Sequence, residues 1–139
     1  MANAVYPSFK TALLSPGFDL STVSIKAALV TVTSGTTNYT YSSSHANFSD
    51  VASGAILATG VALSGKAVAS GALTASSVVW PTVAISGSRK GDAIILYVDT
   101  GTPSTSKLIG YIDTATGLPA TPTGQDITLN WSSSVLALS

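Results

Sequence analysis

The chain offers few side chains that could do chemistry. Its ionisable set is six basic residues, six Asp, no Glu and a single histidine, His45. Acid–base or nucleophilic catalysis needs positioned groups with tuned pKa values. His45 stands beside Ser42-Ser43-Ser44, so a Ser–His–Asp triad is formally possible. No serine lies in a nucleophile-elbow sequence, however, and a solvated or capping histidine is the simpler reading. With no cysteine in the chain, thiolate zinc sites, disulfides and cysteine nucleophiles are excluded. Zinc would find one nitrogen donor where about four ligands are needed. Asp99, Asp113 and Asp126 could converge at one end of a β-sandwich, but Asp at a strand end is ordinary turn chemistry. No spacing singles out a carboxylate pair for glycoside hydrolysis. Gly65-Lys66-Ala67 lacks the hydroxyl and upstream glycine of a phosphate loop. The expectation is no catalytic residue, no cofactor and no metal.

Binding is the alternative, and charge bears on it. Charged residues make up 9% of the chain, against about 25% in an average domain. A folded monomer of this mass exposes roughly 6,700 Å², or one charge per roughly 550 Å². A standard interface takes about 800 Å² from each partner, so a charge-poor patch of that size fits almost anywhere. Ser and Thr, 40 residues together, could equally cover the surface with neutral hydroxyls. Duplex nucleic acid is not the expected partner, because phosphate neutralisation needs Lys and Arg in excess. Here only Arg89-Lys90 are adjacent, and flanking glycines suggest a solvated loop. No stretch approaches the length of a membrane helix, and residues 1–14 lack the pattern of a secretory signal. The glycosylation triplets at Asn38, Asn47 and Asn130 read as chance in a chain so rich in Ser and Thr. Trp80 and Trp131 lie in strand-like runs and read as core rather than sugar platforms.

The elements that would display such a surface are β-strands. At the start, residues 6–14 suit a short helix, with Pro7 at the first helical position and Phe9 and Leu13 on one face. A docked N-terminal arm is the other reading of residues 1–17. Val23, Ile25, Ala27 and Leu29 alternate as in a half-buried strand. Residues 33–47 form a long polar loop ending in a helical turn over 45–51, with Ser44 as cap and Phe48 inward. Strands are expected over 56–63, with a bulge at Gly60, and over 73–80, stopped by Pro81. Residues 92–99 are near-continuously apolar, which predicts a central strand covered on both faces. Residues 107–113 follow after a hairpin loop. A second long loop, 114–125, leads to a strand at Ile127, Leu129 and Trp131, and residues 135–138 add a short pairing segment. The fold class is therefore all-β: one antiparallel β-sandwich domain spanning 1–139, jelly-roll-like in subtype.

Certain stretches also resemble a known family. They are Met1-Ala2-Asn3-Ala4-Val5-Tyr6, Ile25-Lys26-Ala27-Ala28-Leu29-Val30, Phe48-Ser49-Asp50-Val51 and Leu63-Ser64-Gly65-Lys66. The most telling are Ile95-Leu96-Tyr97-Val98-Asp99-Thr100-Gly101 and Leu108-Ile109-Gly110-Tyr111-Ile112-Asp113-Thr114-Ala115-Thr116-Gly117-Leu118-Pro119, closed by Asp126-Ile127-Thr128-Leu129-Asn130-Trp131. In these the chain resembles small structural (virion) proteins of tailed bacteriophages. The resemblance spans nearly the whole chain and rests on core and turn residues. It departs between Gly71 and Val79, where this chain has no acidic residue. It implies a place in the virion, and of the available places the exterior of the head, as a decoration or cement protein, is favoured here over the tail or connector. A receptor- or carbohydrate-binding domain is the reading from another class. The expected partners are the major capsid protein or other virion proteins, and further copies of the chain in a dimer or trimer, with neither nucleic acid nor membrane. The expected contact residues are Tyr6, Phe9, Tyr39, Tyr41, Val135, Leu136 and Leu138. Tyrosines suit interfaces, and apolar chain ends need docking.

Overall fold

A computed structural model describes residues 4–14, 22–69, 72–84, 87, 89–131 and 135–137. The protein is all-β and sandwich-like, with antiparallel pairing throughout the described sheets. In chain order the elements are β1 (Ala4–Val5), α1 (Pro7–Leu13), β2 (Ile25–Val30), β3 (Ile56–Ala62), β4 (Ala67–Ala69), β5 (Ala72–Thr74), β6 (Val78–Trp80), β7 (Ala93–Val98), β8 (Leu108–Ile112), β9 (Ile127–Leu129) and β10 (Leu136–Ala137). Two single 3-10 turns, Phe48–Asp50 and Ser53–Ala55, precede β3.

The main sheet runs β1-β8-β7-β2-β3. Its middle strands carry almost unbroken apolar runs because both faces are covered: every residue of β8 is buried, as are the first five of β7. Register places Ile25, Ala27, Leu29, Ile94, Leu96 and Ile112 on one face. On the other face Tyr97 stacks on Phe48 at 4.0 Å between centroids, and Tyr111 stacks on Tyr39 at 6.2 Å. The polar loop after β2 thus folds back as a lid over its own sheet. It is pinned by Asp92, whose carboxylate accepts from the backbone of Val32 at 2.8 Å and Thr33 at 3.0 Å.

Two smaller sheets, β10-β5-β4 and β6-β9, complete the molecule. Leu73, Val78, Trp80, Ile127 and Leu129 join the same core cluster as the main sheet, and the Trp80 indole donates to Ala27 O of β2 at 3.2 Å. Groups of five, three and two strands differ from the double sheet of eight strands in a jelly roll, so that subtype is not established.

Both readings of the N-terminus hold in part: the arm pairs as β1 with β8, and the helix follows at once. The bulge at Gly60 is present: β3 takes an extra residue between Ala58 and Val61, opposite Ala27 and Leu29, and Gly60 has φ +87°, a region glycine enters without a Cβ clash. Three expectations change. The run 73–80 is two strands, not one; Ala75-Ser76-Ser77 breaks it, with Ser76 N–H bonded to Ser64 O and Ser76 O accepting from the Trp131 indole. Strand β4 was not expected in so small-residued a stretch. The helical turn is capped from Asn47 rather than Ser44, as the Asp50 carboxylate accepts from the backbone of Ala46 and Asn47 at 2.8 and 3.0 Å. Those two bonds hold the Asp50 carboxyl below its usual range.

Candidate interaction surface

Most of the residues expected to meet a partner are spent inside the domain. Tyr6 and Phe9 are fully buried, Tyr39 is 2% exposed and Val135 is buried. These side chains present no surface to another molecule in this fold. Tyr41 is half-buried, tilted against Tyr6 and Tyr111 at 5.1 and 5.9 Å. Leu136 lies in β10, paired with Leu73. Leu138 lies outside the described residues.

What the tyrosines build is a tether. The Tyr6 and Tyr39 hydroxyls bond at 2.5 Å, and the Tyr39 hydroxyl bonds His45 Nδ1 at 2.9 Å. The chain links the N-terminal arm, the lid loop and the approach to the 3-10 turn. Burial and the shared hydroxyl bond push the Tyr6 phenol far up; burial raises Tyr39, and burial brings Tyr111 to about 12. His45 is half-buried, and its ring is engaged with the Tyr39 hydroxyl.

The other chemistry-bearing residues are similarly engaged. Asp99 pairs with Lys26 at 2.8 Å and accepts from Gly101 N–H, which lowers its carboxyl, while the pair raises Lys26. Both side chains are partly exposed, so the pair adds little stability. Asp126 accepts from Thr82 N–H at 2.9 Å, a turn role. No group of three potential metal ligands forms among the described residues. Arg89, expected in a solvated loop, instead donates to Gly54 O at 2.6 Å and reaches Ile56 O at the head of β3. Trp80 is core, 1% exposed, whereas Trp131 is half-buried. No described helix is long and apolar enough to cross a membrane.

A different surface emerges from the part of the chain that holds β3 to β6. Between Asp50 and Arg89 the sequence carries one charged residue, Lys66. Its ammonium is turned inward, donating to Val23 O. Along this stretch Val68 is 50% exposed and Val79 40% exposed, among exposed Ala52, Ser53, Thr59, Ala62, Ser64, Ala67, Thr74, Ser76 and Ser77. This stretch is thus one part of the charge-poor surface foreseen from composition. Its most exposed large apolar residue, Val68, escaped the sequence reading because Ala67-Val68-Ala69 looks like a link between Gly65 and Gly71. The absence of any charge but Lys66 across 51–88 was the signal that could have found it.

No protein-family model matches the chain, and no curated protein is significantly similar to it.

Proposed function

We propose that the protein is a non-enzymatic structural component of a tailed-phage particle, a decoration (cement) protein that binds over capsid subunits on the outside of the head, as a homo-oligomer. The observation that carries this reading is the charge-poor surface of residues 51–69 and 72–84, rich in exposed hydroxyls and alanines, on a scaffold whose functional-looking polar groups are engaged in holding the fold. Burying such a surface requires little desolvation of charge, and repetition over a lattice multiplies a modest contact energy. The sequence resemblance to phage virion proteins points the same way.

The test is to add purified protein to particles that lack it and count bound copies by electron cryomicroscopy. Many copies across the head lattice support the reading. Confinement to the tail or a single vertex would replace it with the tail or connector role. No particle binding, together with binding to a glycan, would replace it with receptor recognition.

A further inference from the structure

Two of the sheet edges, β3 and β4, are treated differently. Strand β3 closes one side of the main sheet; it carries the Gly60 bulge, and the Arg89 guanidinium bonds Gly54 O just before the strand and reaches Ile56 O at its head. Bulges and long basic side chains are how natural sheets prevent edge-to-edge pairing. Strand β4 closes one side of the small sheet, paired only to β5 among the described strands. It has no described bulge, and its neighbouring lysine is turned away to Val23 O. Val68 is opposite Leu73 in the β4–β5 register, so the two share a face. Leu73 is 2% exposed and Val68 is 50% exposed. Among the described residues the core-side face of this sheet therefore runs out at β4, with half of the Val68 side chain uncovered.

We infer that the next strand is β4 of a second copy, paired antiparallel about a two-fold axis through Val68. In that register each residue of β4 meets its mirror position: Val68 meets Val68, and Ala67 meets Ala69. No like charges oppose each other, and the central pair is β-branched, the kind that stabilises cross-strand contacts. The sequence is nearly a palindrome about this point, Leu63-Ser64-Gly65-Lys66-Ala67-Val68-Ala69-Ser70-Gly71-Ala72-Leu73. Within it Ala67-Val68-Ala69 reads the same in both directions, so in this register an alanine meets an alanine on either side of the Val68 pair and no charged side chain stands beside it. The product is a continuous sheet ordered β10-β5-β4-β4-β5-β10 across two protomers. Three residues from each side fall short of the roughly 800 Å² per partner of a standard interface, so the dimer is concentration-dependent. The pairing needs only this chain and stands whether or not the protein sits on a virion.

Because the chain has no cysteine, a single Val68→Cys variant reports the contact directly. Opposed strand positions bring Cα atoms within disulfide range. Under mild oxidation at high micromolar concentration, Val68→Cys is expected to form a covalent dimer several-fold faster than Ser49→Cys, an exposed control. By sedimentation velocity the unmodified protein is expected to dimerise as concentration rises, and Val68→Lys, which opposes two ammonium groups, to stay monomeric with an unchanged circular dichroism spectrum. A monomer at every concentration would overturn the inference. So would a dimer indifferent to Val68→Lys, or equal cross-linking of the two cysteine variants. A Val68→Lys variant that loses particle binding while the parent protein is monomeric would assign the edge to a foreign partner instead, and would equally overturn self-pairing.

Discussion

The main sheet and the β4–β5 hairpin use apolar residues to opposite ends. Strands β2, β7 and β8 place Ile, Leu, Val and Tyr in register and are covered on both faces, one by the lid loop with Phe48 and Tyr39. The hairpin uses Ala, Val, Ser and Thr, buries Leu73 and leaves Ala67 and Val68 out. Residue size decides the difference. Large side chains in the main sheet generate enough burial to hold it together, at about 25 cal/mol per Å² of apolar area. Alanines cannot, so the hairpin contributes little core. One region makes the fold, and the other is the face that the proposed function assigns to a partner.

The contrast breaks first at the main sheet. Ile95 is fully buried, and Ile95→Ala should cost about 3 kcal/mol or more in a urea titration, within the range for buried aliphatic truncations. A loss under about 1 kcal/mol would mean that β7 is not the scaffold.

The tie between the layers comes next. Trp80→Phe removes the indole bond to Ala27 O along with some ring volume. It should cost about 2 kcal/mol, since one buried hydrogen bond and some ring packing are lost. An unchanged midpoint would detach β6 from the main sheet.

The tyrosine tether sharpens the comparison through pH. Folding raises the Tyr6, Tyr39 and Tyr111 phenols above their usual 10.0. The folded state thus keeps protons that the unfolded chain releases, and their contribution is whole below about pH 10 and is lost as pH rises beyond it. Chemical melts should show stability falling above about pH 10, with a shallower fall in Tyr6→Phe. At neutral pH that variant should lose about 1 kcal/mol, for one buried hydroxyl bond. Equal slopes in the two proteins would remove Tyr6 from the titrating set.

Much of the scaffold was legible in the sequence. The apolar run between Asp92 and Asp99 announced a doubly covered central strand, and β7 is that strand. Gly60 announced a bulge and makes one. The surface was harder to read, because tyrosine has two uses that composition does not separate. Tyr6 and Tyr39 have the rings and hydroxyls of interface residues, but each finds its hydroxyl partner within the chain, 33 positions away in sequence. No local pattern encodes a pairing at that distance. Strand β4 was missed for the reverse reason: three small residues between glycines carry almost no periodic signal, and only the pairing with β5 defines them.

The smallest effect belongs to the hairpin. Val68→Ala, measured at low concentration, should stay within about 0.5 kcal/mol of the parent protein, as expected of an exposed position.

Amide hydrogen exchange on the free protein and on the same protein bound to phage heads tests the division of labour most directly. The expected result is that binding slows exchange within residues 51–69 and 72–84 and leaves the already slow amides of β7 and β8 unchanged. Added protection confined to other segments, with 51–69 and 72–84 exchanging as fast as in the free protein, would contradict it.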